Sequence, residues 1–218
     1  MTRRWACMAF LILWVIGSAC LAALPAEESG RLLRCDYRLV AVPLFAQQTE
    51  LWCWAASAEM IMAYYGEEVP QCVQANRRFE RSDCCSLPAK GHPCVKVAWP
   101  EMKKYGFCLS TRYGALNWRE LLSQFDARRP VGFSWQWGGG VPGRARGHFM
   151  VARGYVDLEF EHLGPVKLVV VNDPSLTHKD KRKGGSFIVV AYDYYVASPP
   201  HHRHWYDFYD ITREEEGR

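Results

Sequence analysis

The sequence predicts an α+β fold in which a helical N-terminal half is followed by an antiparallel β half. Two observations carry this. Up to about residue 128 the apolar residues that show any period recur at helical spacing, and from about 129 onward they gather in β-branched and aromatic runs divided by Gly, Pro and charged turns. A chain of 218 residues that is 49% hydrophobic is long enough for one compact two-lobed domain and carries no internal repeat. Helices segregated from strands predict an N-terminal helical lobe over 42–128 packed against a β lobe over 129–212, with a site in the cleft between them.

Taken in order, Met1 to Arg4 is basic, Trp5 to Ile16 is apolar, and Gly17 to Ala23 is rich in small residues. That is the pattern of a signal peptide over 1–23, followed by a short N-terminal segment over 24–41. The apolar run falls short of the roughly 20 residues that span a bilayer. The chain is therefore expected to be secreted or periplasmic, with no membrane partner after cleavage. Gly17 stands where a lipoprotein signal has a large aliphatic residue, which argues against lipid anchoring at Cys20. The formal charge of +4 comes from scattered Lys and Arg and gives no reason to expect nucleic acid.

Leu39 to Phe45 reads as extended, with Pro43 keeping it out of a central strand. A helix follows, with Cys53 in its first turn and Gly66 as its stop. Glu67 to Pro93 reads as loops and short helical pieces, Val95 to Tyr105 as another short helix, and Asn117 to Phe125 as a helix ended by Arg128-Arg129-Pro130. Strands are predicted over 131–137, 149–156, 166–172, 187–192 and 205–211, and a charged tail over 213–218.

Removal of the signal takes Cys7 and Cys20 and leaves Cys35, Cys53, Cys72, Cys84, Cys85, Cys94 and Cys108. An odd number in an oxidising compartment predicts one free thiol and six paired cysteines, with 15 possible connectivities. Cys53, between Trp52 and Trp54 at an apolar helix start, is the one expected to stay free. Zinc is the rival for the Cys72 to Cys94 cluster, but no Cys-x-x-Cys pair is present and adjacent Cys84 and Cys85 point apart, so neither metal nor cofactor is expected.

A thiolate at a helix N-terminus beside an imidazolium is a competent nucleophile at neutral pH. The segment Gln47-Gln48-Thr49-Glu50-Leu51-Trp52-Cys53-Trp54-Ala55-Ala56-Ser57 resembles the active-site segment of papain-like cysteine peptidases. The nearest kin look like a bacterial branch that includes avirulence-type effector proteases and bacteriocin leader peptidases. The resemblance implies a papain-like fold with Cys53 as nucleophile. It also places Gln47, six positions earlier, as the donor to the oxyanion hole, with Gln48 as a fallback. Losing one such donor typically costs on the order of 100-fold in rate.

The general base should lie far along the chain, on the other lobe. Gly147-His148-Phe149-Met150-Val151-Ala152-Arg153-Gly154-Tyr155 resembles the family's histidine motif: a histidine opens an apolar strand, glycine precedes it, and Gly154 marks a bulge or turn. His92 and His178 sit in polar turns, His162 in a hairpin turn, and His201, His202 and His204 in an exposed loop after Pro199-Pro200. The residue that orients the imidazole is Asp173 in Asn172-Asp173-Pro174, by resemblance to the branch that uses aspartate before proline. Asn172 is the alternative, as in plant papains, and strand alternation allows only one of the two to face the site.

The resemblance extends over about Val42 to Ile211, and the Cys72 to Cys94 stretch resembles a disulfide-bearing insert of these enzymes. Only about twenty residues separate the expected cleavage zone from Gln47, short for an inhibitory prodomain. The expected activity is hydrolysis of a protein or peptide substrate. The alternatives are a peptidoglycan amidase or acyltransferase on the same fold, and a catalytically silent, disulfide-stabilised binding module. A redox role is disfavoured because Cys53 has no resolving cysteine nearby. Trp135-Gln136-Trp137-Gly138-Gly139-Gly140 reads as a glycine-rich hairpin end, and Lys179 to Gly185 as a solvated turn.

Overall fold

The computed structural model describes residues 30–86, 88–138, 147–175 and 185–214. The expected signal peptide with Cys7 and Cys20, the segment 24–29, Gly139 and Gly140, His178, Lys179 to Gly184 and residues 215–218 of the tail lie outside these. In chain order the elements are β1 (Leu32–Leu39), α1 (Cys53–Tyr64), α2 (Gln71–Phe79), β2 (Phe107–Tyr113), α3 (Trp118–Asp126), β3 (Val131–Trp137), β4 (Gly147–Phe160) and β5 (Gly164–Asp173), then β6 (Ser186–Ala191), α4 (Tyr192–Val196), β7 (Ala197–Ser198) and β8 (His202–Arg213). Single 3-10 turns occupy Cys84–Ser86 and Met102–Tyr105. The fold is mixed α and β, with a large sheet in the order β2-β8-β3-β4-β5-β6, β1 pairing with β4 and β7 with β8.

The chain divides into two units. One takes, of the described residues, 30–37 together with Val156–Leu168, and within it the Arg34 guanidinium lies 3.1 Å from Asp157 and 3.4 Å from Glu159. The other takes Arg38–Tyr155 and the residues from Val169 on, and holds every candidate residue of the site.

In this second unit α1 is apolar nearly all round, with Trp54 to Ala58 and Met60 to Met62 buried, which is the composition of a core helix rather than a surface one. Ser57 is the polar exception on that buried face, and its hydroxyl donates to the Phe149 carbonyl at 3.0 Å. This bond ties α1 to β4 one turn beyond Cys53. Helix α3 starts where Asn117 predicts: its side chain accepts from Glu120 N at 3.0 Å, and the Glu120 carboxylate accepts from Asn117 N at 2.8 Å, a reciprocal cap. Strand β3 runs antiparallel to both β4 and β8, with Phe133 opposite Met150 on one side and Asp207 on the other.

Helices and strands are less segregated than predicted, because β1 and β2 lie in the first half. The helix expected over Val95 to Tyr105 shrinks to the turn Met102–Tyr105, since Pro100 keeps Trp99 out of the helical region. Gly154 makes no turn: β4 runs straight through it, and a Cβ there would stand 2.2 Å from the Arg38 carbonyl, so the glycine serves close strand approach. His202 and His204 are not exposed. They are inward positions of β8, 2% and 5% accessible, because alternate residues of a strand face the core.

Cys72 pairs with Cys85 and Cys84 with Cys94, so adjacent cysteines do go to different partners. Cys108 was expected to pair and does not: it is a free, exposed thiol on β2, its sulfur 3.6 Å from Glu214 Oε1. Cys35 is not a free thiol, and Cys53 is. The two described disulfides are of the kind that persists in an oxidising, extracellular setting. Among the described residues no helix is long and apolar enough to cross a membrane. Closing a loop of sequence separation 10 restricts the unfolded chain by about 3 kcal/mol. Replacing Cys84 and Cys94 together by Ala is expected to lower Tm by about 5–10 °C in thermal unfolding. An unchanged Tm would show that the cross-link does not act on stability.

Candidate active site

Three elements of the second unit deliver the site. Cys53 is the first residue of α1, which has no side-chain cap, so the N–H groups of Cys53 and Trp54 precede the first helical bond, Ala55 N to Trp52 O at 3.0 Å. His148 is the second residue of β4, paired across the ladder with Trp135 of β3. Gly147 before it sits against the Trp205 ring and the Trp135 carbonyl, where a Cβ would come within 3.0 and 3.1 Å. Asp173 is the last residue of β5.

The structure brings these three together. His148 Nε2 lies 2.6 Å from Asp173 Oδ1, and the Cys53 thiol is close enough to the same imidazole to act on its charge. Both partners are largely buried, with side-chain exposures of 13% for His148 and 19% for Asp173, so their interaction is poorly screened. Burial opposes charge on His148, but the hydrogen bonds and charges of Asp173 and Cys53 win and raise its pKa to about 9. Burial would likewise raise Asp173, yet the His148 contact and two hydrogen bonds from Ser175 hold its carboxyl below the ordinary range. The imidazole is thus charged at neutral pH, beside a carboxylate on one side and the thiol on the other.

Asn172, the alternative partner, points the other way. It is fully buried, and its amide donates to the Val42 and Pro43 carbonyls at 3.3 and 3.0 Å. Gln47 is 7% accessible; its backbone N–H donates to Pro174 O at 2.9 Å and its side-chain amide to Thr49 O at 2.8 Å. One amide hydrogen of Gln47 is committed to Thr49 and the second remains. Gln48, the fallback, is exposed, and its backbone N–H donates to Gln71 Oε1 at 2.8 Å.

Sequence reasoning missed three supports. Gln71, 1% accessible, clasps the 46–48 segment by donating to the Ala46 carbonyl and accepting from Gln48, and it also bonds Glu59 of α1. The indoles on either side of Cys53 are anchored at and just beyond the end of the cross-linked segment, Trp52 to Cys94 O at 2.8 Å and Trp54 to Lys96 O at 3.2 Å. Ser175 has its hydroxyl 2.9 Å from His148 Nε2. Its signal was present, since an aspartate two residues before a serine across a proline is the pattern of an Asx-turn. Asp83, His92 and Cys94 bring three donor atoms within 4.8 Å of one another, but the Cys94 sulfur is spent in its disulfide.

A thiol at a helix start near a charged imidazole that contacts a largely buried carboxylate forms a constellation suited to acyl transfer, set in a mixed α and β framework. Residues 39–198 match the model of the Peptidase_C39 like family, most of the chain, and the chain belongs to that family of cysteine peptidases. No curated protein matches it.

Proposed function

We propose that this protein is an exported peptidase that hydrolyses peptide bonds through Cys53, His148 and Asp173. The observation that carries the reading is the 2.6 Å contact of His148 on β4 with Asp173 on β5, 25 positions away, at an imidazole whose charge is also influenced by Cys53 of α1, 95 positions before it. The Cys53 thiolate attacks the scissile carbonyl carbon, and the carbonyl π pair moves onto oxygen. The Cys53 N–H and the second amide hydrogen of Gln47 receive that oxyanion. As the oxyanion collapses, His148 gives its proton to the departing amine, leaving an acyl-thioester on Cys53. Water then attacks the thioester with His148 as base, releasing the acid and restoring the thiolate. Asp173 keeps the imidazole's other nitrogen engaged throughout. Export is supported by the two disulfides and by the basic, apolar and small-residue order of the first 23 residues.

The molecule contains its own control, because Cys108 is exposed while Cys53 is partly buried. If access alone governed reactivity, Cys108 would react first. An epoxysuccinyl peptide of the papain-inhibitor type is expected to label Cys53 in strong preference to Cys108 at neutral pH, read by peptide mapping, and to lose that label in Cys53→Ala. Preferential labelling of Cys108 would sink the peptidase reading and leave a binding module in its place.

A further inference from the structure

Resting on the peptidase reading, we propose that Ser175 is a positioning residue of this site, its backbone N–H holding Asp173 against His148 and its hydroxyl giving the imidazole a second oxygen partner. His148 Nε2 carries one hydrogen and faces two oxygens, Asp173 Oδ1 at 2.6 Å and Ser175 Oγ at 2.9 Å. The Ser175 N–H donates to the same Asp173 Oδ1 at 2.8 Å. A hydroxyl can accept from Nε2–H, so the imidazole is shared between the carboxylate and the hydroxyl while the Ser175 N–H fixes the same carboxylate oxygen.

Ser175 is itself held on both sides. Its carbonyl accepts from Gly185 N at 3.0 Å, and the carbonyl of Pro174 before it accepts from Gln47 N at 2.9 Å. The tripeptide Asp173-Pro174-Ser175 therefore touches the base through its first and third residues and the Gln47 segment through its second. Without the hydroxyl, Asp173 keeps one bond from Ser175, but the imidazole loses a stop against the rotation that would turn its other nitrogen away from Cys53. Among the described residues, the titratable or charged groups that act on His148 are Cys53 from α1 and Asp173 from β5.

The test is the pH profile of Cys53 alkylation by iodoacetamide from pH 5 to 10 in the full chain, together with hydrolysis of labelled casein, for wild type, Ser175→Ala and the shape-matched pair Ser175→Thr and Ser175→Val. Removing the hydroxyl is expected to slow both reactions about tenfold at neutral pH. It should also move the alkaline limb of the alkylation profile down by about half a unit, because a charged imidazole loses an acceptor. Thr, which keeps the oxygen, is expected to stay near wild type and Val to follow Ala. A merely structural role would change the rate without moving the limb. Superimposable Thr and Val profiles would overturn the assignment even if Ala disturbed the turn. Slow, featureless alkylation of Cys53 in wild type would instead overturn the peptidase reading itself.

Discussion

Replacement of His148 by Ala is expected to reduce casein hydrolysis by about 10⁴-fold while leaving the fold intact, because in the proposed mechanism one side chain supplies both the proton for the leaving amine and the charge beside Cys53. The sign of its pH dependence follows from the raised pKa. In that mechanism the protonated imidazole is the active form, so activity is expected to persist through neutral pH and to fall as pH rises through about 9. His148→Ala should lose that alkaline limb as well as the rate. The check is kcat/KM against pH for both proteins. A variant that keeps more than a tenth of wild-type activity would remove His148 from the mechanism.

The largest expected effect on stability lies elsewhere, at Asp207 of β8, which is wholly inaccessible. Its Oδ1 accepts from the Tyr195 hydroxyl at 2.7 Å and lies 2.8 Å from His204 Nε2, while Oδ2 accepts from the Leu116 N–H at 2.6 Å. Burial, reinforced by the neighbouring Asp207, pushes the Tyr195 phenol well up, so it is a committed donor. Asp207→Ala leaves three buried polar partners without their oxygen, at a cost of about 3–5 kcal/mol. The expected fall in Tm is about 10 °C by circular dichroism. A fall of less than about 3 °C would mean that the cluster relaxes around the gap. This second His–Asp contact is as close as a triad pair yet sealed from substrate, so burial rather than geometry separates a scaffold from a site.

The same contrast explains what could be read in advance. The placement of Cys53 at a helix start and of His148 at a strand start was legible because an apolar run follows each of them. The choice of Asp173 over Asn172 came from resemblance, and alternation along β5 explains it: the side chain that packs under Val42 and Pro43 cannot also face the imidazole. What stayed hidden depends on tertiary partners. β1 is Leu-Leu-Arg-Cys-Asp-Tyr-Arg-Leu, a sequence with no period of two, and it is a strand because β4 pairs with it. His202 and His204 looked exposed because Pro199-Pro200 precedes them, whereas β8 starts at His202 and stacks that ring on Trp135, centroids 4.1 Å apart. Cys108 defeated parity counting, since nothing in its neighbours shows that it ends up opposite Thr212 on an open face of the ladder.

The cross-linked segment from Cys72 to Cys94 has a bearing on the lifetime of a peptidase among its own copies. Exposed polar loops are where proteases cut, because such a loop can be drawn out straight to lie along a cleft. Residues 80–83 and 89–91 are of this surface type, yet the two disulfides, closing separations of 13 and 10 residues and overlapping between Cys84 and Cys85, prevent the stretch from being pulled into an extended line. The paired cross-links are therefore expected to protect from autolysis the segment whose last carbonyl, that of Cys94, holds the Trp52 indole.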